Sequence, residues 1–268
     1  MAELVALIAK LRVPSFSVKQ PEAFQIGVTL PLPQPSTLAG ALAYCIAVRE
    51  GLKQEELATR IQTILKVSRA CFLTEVAVPS SIVLKRFRAL DKVSDYRAFE
   101  DAYRRFDYEV IFDRLEKLTD ALYREYVFTC ELLCVWIVDK DISGDLLWSI
   151  NHLGDTESLC SVIEIDRVPV NEEKTNEVKT RFQAPIIELT TVKSGAYKIV
   201  KMYNESFWYQ RKGEPLTYAI PCEEKIERGA KGFRYRVYRP TEITILYDRP
   251  VNVYSFKIGE REESLVGV

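Results

Sequence analysis

The chain has 268 residues, of which 28% are charged and 47% are hydrophobic, and its formal net charge is −1. That length allows one large domain or two small ones with a substantial core. A net charge near zero excludes nucleic-acid binding through overall positive charge, so any such contact has to come from local basic patches. The longest apolar run, residues 37–48, is too short to span a bilayer, so no membrane contact is expected.

Six cysteines and a single histidine limit the metal chemistry of the chain. The cysteines lie in apolar surroundings without the paired spacing of a zinc site, at positions 45, 71, 130, 134, 160 and 222. Reduced core thiols in a cytoplasmic protein are therefore expected, with no metal and no cofactor. The first ten residues include Glu3 and lack a basic start, so they are not expected to be a signal peptide.

The first predicted elements lead into a proline-rich segment. Residues 4–13 are rich in Leu, Val and Ile, which predicts a buried strand, and residues 14–29 predict a long loop. Prolines at 31, 33 and 35 then favour extended backbone and remove donors.

Ser36 occupies the expected N-cap of an apolar helix over residues 37–48, which Gly51 would end. A helix without a polar face is expected to be buried. Its free N-terminal amides predict a site for an anion such as phosphate.

The following elements alternate between helix and strand. We predict a helix over 54–68, strands over 70–78 and 82–88, a charged helical segment over 92–126, a strand over 126–138, a helix over 143–153 and a strand over 159–170. With the first strand and helix this is the β-α-β-β-α-β order of a ferredoxin-like (RRM-like) domain, expanded by one helix and an insertion.

The predicted fold class is therefore α+β. The ferredoxin-like domain covers residues 1–170, with an inserted helical segment at about 89–126. The polar, acidic stretch 171–179 marks a boundary, and residues 171–268 form a β-rich C-terminal region of short runs, one of them at 207–209.

No familiar catalytic motif accompanies these elements. The chain lacks a phosphate-binding glycine loop, a dinucleotide fingerprint and a nucleophile elbow. A dyad of His152 with Cys160 or Ser158 is conceivable, but no elbow supports it.

Two kinds of segment have the chemistry to bind phosphate. Residues 152–159 join a helix end to a strand through Gly154 and polar residues, whose amides and hydroxyls suit a phosphate; an ordinary turn capped by Gly154 is the competing interpretation. Residues 84–88 and 231–239 interleave basic and aromatic side chains, which suits an RNA backbone with stacked bases. An arginine-rich edge strand that prevents aggregation explains 231–239 equally well.

The segments 30–42 and 152–162 together resemble a known family. Leu30-Pro-Leu-Pro-Gln-Pro-Ser-Thr-Leu-Ala-Gly-Ala-Leu42 is similar to the P-P-[ST]-T-L-x-G-A-L element of the CRISPR-associated subunit that binds the 5′ handle of guide RNA. That subunit is the fifth core family of type I Cascade, in the RAMP superfamily. His152-Leu-Gly-Asp-Thr-Glu-Ser-Leu-Cys-Ser-Val162 looks like the R-[IL]-G-x-x-E-S-[LV]-x-S-V element of its archaeal type I-A branch, with His152 where that element has a basic residue.

The resemblance implies an RRM-like fold and a non-catalytic scaffolding subunit that binds crRNA in antiviral defence. Its implied partners are the crRNA 5′ handle, the backbone subunits of the seventh family and the large subunit. The candidate RNA-binding residues are Phe16, Lys19, Gln20, Ser36, Thr37, Lys85, Arg86, Arg88, His152, Gly154, Arg234 and Arg236.

Two alternatives remain open at the level of sequence. One branch of the same family matures pre-crRNA as a metal-independent ribonuclease, for which His152, Tyr44 and Lys85 are available as acid or base. The other alternative is a protein–protein module without RNA contact.

Overall fold

The computed structural model describes residues 3–23, 27–87, 92–154, 158–210 and 212–267, except the side chains of 84–86, 120, 122 and 231. Helices α1 to α5 are Pro35–Glu50, Gln54–Ile64, Val93–Arg105, Tyr108–Leu118 and Glu205–Gln210. Strands β1 to β16 are Leu4–Arg12, Ser15–Phe16, Leu65–Phe72, Val78–Phe87, Thr119–Phe128, Glu131–Asp139, Ser161–Pro169, Asn171–Thr180, Ala184–Pro185, Thr191–Ser194, Lys198–Met202, Leu216–Ile220, Cys222–Arg228, Arg234–Pro240, Ile243–Ile258 and Arg261–Val266. Short 3-10 helices lie at Gly144–Ser149 and Ala230–Gly232.

The chain folds into two compact units. One consists of Met1–Ser80 with Tyr126–Val268, and the other of Ser81–Glu125. The residues after 170 therefore share a unit with the N-terminal strands. The fold is mixed α and β, as the fold class predicted.

A four-stranded sheet in the order β3-β6-β1-β7 is the centre of the larger unit, and every neighbouring pair is antiparallel. Its inner strands β1 and β6 are apolar along nearly their whole length because both faces are covered. On one face Leu7 and Leu11 pack in a core with α1, and on the other Ala6 and Ile8 pack with Phe256 of β15.

Helix α1 packs on this sheet through the buried Leu38, Leu42 and Ile46, but it is not buried all round as predicted, since Tyr44 and Val48 are exposed. The indole of Trp136 in β6 donates to the carbonyl of Leu38 at 2.8 Å. Gly51 ends the helix with a left-handed φ of 67°.

The predicted start of α1 is wrong. The N-cap is Gln34, and Ser36 lies inside the first turn, because Pro35 has the φ of a first helical residue and needs no amide partner. The Ser36 amide donates to the carbonyl of Tyr203 at 3.2 Å, so it is not free for an anion.

The carbonyls of the proline-rich segment are bonded to distant parts of the chain. Gln183 Nε2 donates to the carbonyl of Pro33 at 3.0 Å, and Ser68 Oγ donates to that of Pro35 at 3.1 Å. A proline has no backbone N–H, so its carbonyl is the backbone group that needs a hydrogen-bond partner when the segment is buried. The prolines therefore set the course of the chain into α1.

Several predicted boundaries in the first 170 residues move. Helix α2 ends at Ile64, and β3 begins at Leu65, where the prediction continued the helix to residue 68. The charged segment 92–126 contains two helices and then β5, and the helix predicted over 143–153 is the 3-10 turn Gly144–Ser149.

Two elements of the C-terminal half were not predicted. The polar stretch predicted as a boundary is β8, which pairs with the long strand β15. Its alternating polar residues are exposed, while Val178 and Thr180 are buried, so a charged sequence forms a half-buried strand. The strand predicted at 207–209 is helix α5.

The smaller unit contains α3 and α4 with the adjoining parts of β4 and β5. Arg114 Nη1 of α4 binds Asp95 of α3 at 2.8 Å. The Phe99 and Tyr103 rings stack on α3, and Phe106 between the helices has a left-handed φ of 57°. Within the described ranges, no helix is long and apolar enough to cross a membrane.

Candidate functional site

A cleft of about 630 Å³ opens in the larger unit between α1, α5 and two loops. It is lined by Ser17, Val18, Lys19, Gln34, Ser36, Thr37, Gly40, Ala41, Tyr44, Ile150, His152, Gly154, Phe207 and Trp208. Its volume is within the range of about 300–1,000 Å³ typical of ligand sites. Five of the predicted site residues line it: Lys19, Ser36, Thr37, His152 and Gly154.

One wall of the cleft is a single face of α1. Thr37, Gly40, Ala41 and Tyr44 follow the helical spacing that places side chains on one side. An added Cβ at Gly40 would lie 2.9 Å from Cδ1 and Nε1 of Trp208, so only glycine lets α5 approach α1 this closely.

Another part of the lining is the turn at Gly154. This residue has a φ of +103°, and a Cβ here would lie 3.1 Å from the carbonyl oxygen of Ser17. Ser158 Oγ accepts from the Ser17 amide at 3.0 Å, and the Leu153 amide donates to the Ser158 carbonyl at 3.0 Å. The turn is thereby fixed against the loop that contains Lys19.

Tyr44 and His152 meet across the cleft. Their rings are 5.6 Å apart in an edge-to-face arrangement. Asn151 connects them, because its Nδ2 donates to the Tyr44 hydroxyl at 3.4 Å and its Oδ1 lies 2.5 Å from His152 Nδ1. With Oδ1 as the acceptor of this contact, Nδ1 is the donor, and in that tautomer Nε2 is left as the acceptor nitrogen.

Helix α5 is held by a buried ion pair. Glu205, its first residue, accepts from Nη1 of the fully buried Arg69 at 2.6 Å and from the Ser68 amide at 2.6 Å. Arg69 Nη2 donates to the Val266 carbonyl at 2.8 Å. Burial disfavours the charge on Arg69, but Glu205 more than compensates and raises the pKa of the guanidinium above its ordinary value.

Trp208 and Phe207 of α5 were not among the predicted site residues. The signal that could have found them is Asn204, which immediately precedes α5: its backbone carbonyl accepts from the Phe207 amide at 3.2 Å, and its side-chain Oδ1 accepts from the Ser206 hydroxyl at 2.7 Å. An asparagine in that position favours a helix start.

Two of the predicted RNA-binding residues are buried in the structure. Phe16 is 0% exposed within the core and is not available to stack on a base. Ser36 is also buried, and its amide is bonded to Tyr203. Gln20 is half-buried, with its side-chain amide donating to the Thr29 carbonyl at 3.2 Å.

The predicted contacts at 85, 86 and 88 fall largely outside the described part of the chain. Lys85 and Arg86 belong to β4, but their side chains are not described, and Arg88 lies outside the described residues.

Arg234 and Arg236 are on β14, which pairs with β13 in a two-stranded ribbon. Both are exposed, and Arg236 Nη1 lies 3.4 Å from Glu224 Oε1 of β13. The basic segment is therefore partly neutralised by an acidic strand that precedes it in the chain. Tyr238, which the alternation placed on the face of Arg234 and Arg236, is buried.

No group of three or more His, Cys, Asp or Glu side chains among the described residues is arranged to hold a metal ion. Burial raises the pKa of the thiols of Cys45 and Cys222 to about 12, and that of Cys160 beside the Gly154 turn to about 11. These thiols remain protonated near neutral pH, which argues against Cys160 as the nucleophile of a dyad with His152.

No protein-family model matches the chain. A protein of Methanocaldococcus jannaschii called CRISPR-associated protein Cas5 is 27% identical over 235 residues, 82% of this chain and 85% of that protein. A Thermoproteus tenax protein of the same name is 22% identical over 158 residues, 59% of this chain and 64% of that protein. The crystal structure of a CRISPR protein from Archaeoglobus fulgidus shares the fold, with a TM-score of 0.57, 14% identity and 98% coverage of both chains. The chain is thus a homologue of the proteins called CRISPR-associated protein Cas5, as its two motifs indicated.

Proposed function

We propose that this protein is a non-catalytic subunit of a type I CRISPR interference (Cascade) complex that binds the crRNA 5′ handle and acts as a scaffold. The observation that carries the proposal is the cleft, since the two segments that resemble the family, about 120 residues apart, both line it, at Thr37 and at Gly154. Homology to proteins called Cas5 supports the same assignment.

The fold that we propose for this role is ferredoxin-like. In chain order, β1, β3, β6 and β7 are the four strands of the central sheet, and its order β3-β6-β1-β7 is antiparallel throughout. Helices α1 and α2 connect the first pair and the 3-10 turn Gly144–Ser149 connects the last. This matches a β-α-β-β-α-β unit in which the second helix is reduced to a turn.

The cleft has the chemistry of a single-stranded RNA site. Tyr44 and Trp208 offer aromatic surfaces for bases, and Lys19 offers a cation for phosphate. The acceptor nitrogen of His152 suits a ribose 2′-hydroxyl, which distinguishes RNA from DNA. The family element has a basic residue at the position of His152, which suits a phosphate. For His152 we propose the 2′-hydroxyl contact in place of a phosphate contact.

The proposed partners beyond RNA are the seventh-family backbone subunits and the large subunit. A chain with net charge −1 does not bind RNA through overall charge, and a binding surface shared among subunits is consistent with that balance.

Labelled repeat RNA incubated with the purified protein in EDTA tests the proposal on one gel for binding and cleavage. We expect intact RNA and a shift that depends on the 5′-handle sequence, weakened in Tyr44→Ala and in Lys19→Gln. Lys66→Gln, which removes an exposed lysine paired with Asp139, is the charge-matched control for Lys19→Gln. A shift without handle selectivity, or no shift, would contradict the proposal.

A metal-independent ribonuclease is the second candidate, and the Tyr44–His152 pair with Lys19 in the same cleft favours it. His152 Nε2 would take the 2′-hydroxyl proton as the oxygen attacks the adjacent phosphate, and an acid such as Lys19 would protonate the leaving 5′-oxygen. The products would be a 2′,3′-cyclic phosphate and a 5′-hydroxyl. Site-specific cleavage in EDTA that His152→Ala abolishes would establish this candidate and exclude the non-catalytic one.

A further inference from the structure

The ribbon of β13 and β14 has two chemically different faces. Residues directly opposite each other in an antiparallel pair share a face, and the face alternates along each strand. Lys225, Glu227 and Arg239 lie on one face, and Arg228, Arg234 and Arg236 on the other. The tight turn at Gly229–Phe233 closes the ribbon, with the Gly229 amide donating to the Phe233 carbonyl at 2.7 Å.

The first face neutralises its own charge. Arg239 Nη2 binds Glu227 at 2.5 Å, and the Tyr235 hydroxyl donates to the same carboxylate at 3.3 Å. Lys225 is paired with Glu223 at 2.7 Å. This face requires no external ion.

The second face carries two directly opposed arginines. Arg228 of β13 and Arg234 of β14 are register partners, so their Cβ atoms are about 5 Å apart, and both side chains are exposed. No carboxylate among the described residues is paired with either of them. Glu224, on the same face, is engaged by Lys198 at 2.5 Å and lies four residues, roughly 13 Å, along the strand from Arg228.

Opposed like charges destabilise a strand pair. A glutamate at 228 would have given the ribbon the cross-strand ion pairing that its other face has, so folding stability does not account for this arginine pair. A bound anion would relieve the repulsion, because it would accept charge-assisted hydrogen bonds from both guanidiniums.

We propose that Arg228 and Arg234 form a second RNA site that binds the phosphodiester backbone independently of base sequence. The inference rests on the proposed RNA-binding function and adds Arg228 to it. The two side chains start about 5 Å apart at their Cβ atoms, and both are long enough to reach the non-bridging oxygens of one phosphate with charge-assisted hydrogen bonds. Phe233 at the turn is 69% exposed and offers a stacking surface beside the pair.

The test compares Arg228→Gln/Arg234→Gln with the charge-matched control Lys225→Gln/Arg239→Gln on the other face. Binding of fluorescent oligouridine is measured by anisotropy between low and moderate salt. Loss of two phosphate contacts should make the slope of log K against log salt less steep by about 1.4 and should weaken binding several-fold. We expect the control to keep the wild-type slope. Urea denaturation should show that the first variant is at least as stable as wild type, since a repulsion has been removed.

An unchanged slope in Arg228→Gln/Arg234→Gln, or an equal loss in the control, would overturn the second site. So would a wild-type protein that binds no oligouridine. The proposed function fails separately, through Tyr44→Ala: if the ribbon variant loses slope while Tyr44→Ala keeps full handle selectivity, the ribbon site stands and the cleft assignment falls.

Discussion

At the scale of single residues, Gly40 sets how closely the Trp208 side chain of α5 packs on α1. Its missing Cβ admits the indole of Trp208, whose Cδ1 and Nε1 would otherwise be 2.9 Å away. The sequence alone did not indicate which element packs against Gly40, because α5 is distant in sequence and only six residues long.

Gly40→Leu should displace Trp208 and lower the free energy of unfolding by about 1–3 kcal/mol, the usual cost of overpacking a tight contact. Urea denaturation monitored by tryptophan fluorescence measures both effects. Val48→Leu, at an exposed position of the same helix, is the control and should be close to neutral. Wild-type stability and emission in Gly40→Leu would mean that α5 is not packed on α1 as described.

At the scale of elements, the position of α5 depends on the Arg69–Glu205 ion pair. Arg69 is fully buried while Glu205 is nearly so, and the pair joins β3 to α5. Removing the carboxylate would leave a buried guanidinium without its counter-charge, which is far more costly than loss of a surface pair.

Glu205→Gln should therefore lower the free energy of unfolding by about 3 kcal/mol. The control is Glu22→Gln, whose partner Lys201 is exposed, and its effect should stay below about 1 kcal/mol. Urea titration of both variants gives the comparison. Equal effects would show that the buried pair does not anchor α5.

Elements with strong local signals were predictable from sequence. The apolar strand β1 and the helix α1 are close to their predicted places, and β6 takes up most of the strand predicted over 126–138, whose first three residues belong to β5. The sequence prediction missed the start of α1, the strand β8 and the helix α5, because each depends on contacts with distant parts of the chain. The Tyr203 carbonyl accepts from the Ser36 amide, β15 pairs with β8, and Arg69 binds Glu205 of α5. The same reason explains the cleft: five of its lining residues were singled out from the sequence, but neither their gathering in one cleft nor Trp208 was predicted.

At the scale of the whole molecule, buried thiols and a tyrosine hydroxyl make the free energy of unfolding depend on pH in the alkaline range. Burial raises the pKa of the thiols of Cys45, Cys71 and Cys222 from 9.0 to about 12, and that of the Tyr254 hydroxyl to about 12. In the unfolded chain these groups lose protons at lower pH than in the folded protein. Between pH 9 and 12 the unfolded state therefore binds fewer protons, and stability falls as pH rises.

Urea midpoints measured from about pH 8 to about pH 11 should thus be constant up to about pH 9 and then decrease. Cys130→Ala, which removes an exposed thiol, should show the same profile. A midpoint that stays flat over that whole range would contradict the burial of these groups.

The most direct measurement of the central claim uses Trp208 as a reporter inside the cleft. Of the three tryptophans, Trp136 is fully buried, and Trp148, which is exposed, is replaced by Trp148→Phe. Titration with 5′-handle RNA should quench the Trp208 emission to saturation, whereas a scrambled RNA of equal length should not. Handle RNA that binds by anisotropy without quenching Trp208, or that quenches no better than the scrambled RNA, would contradict the assignment of the cleft as the handle site.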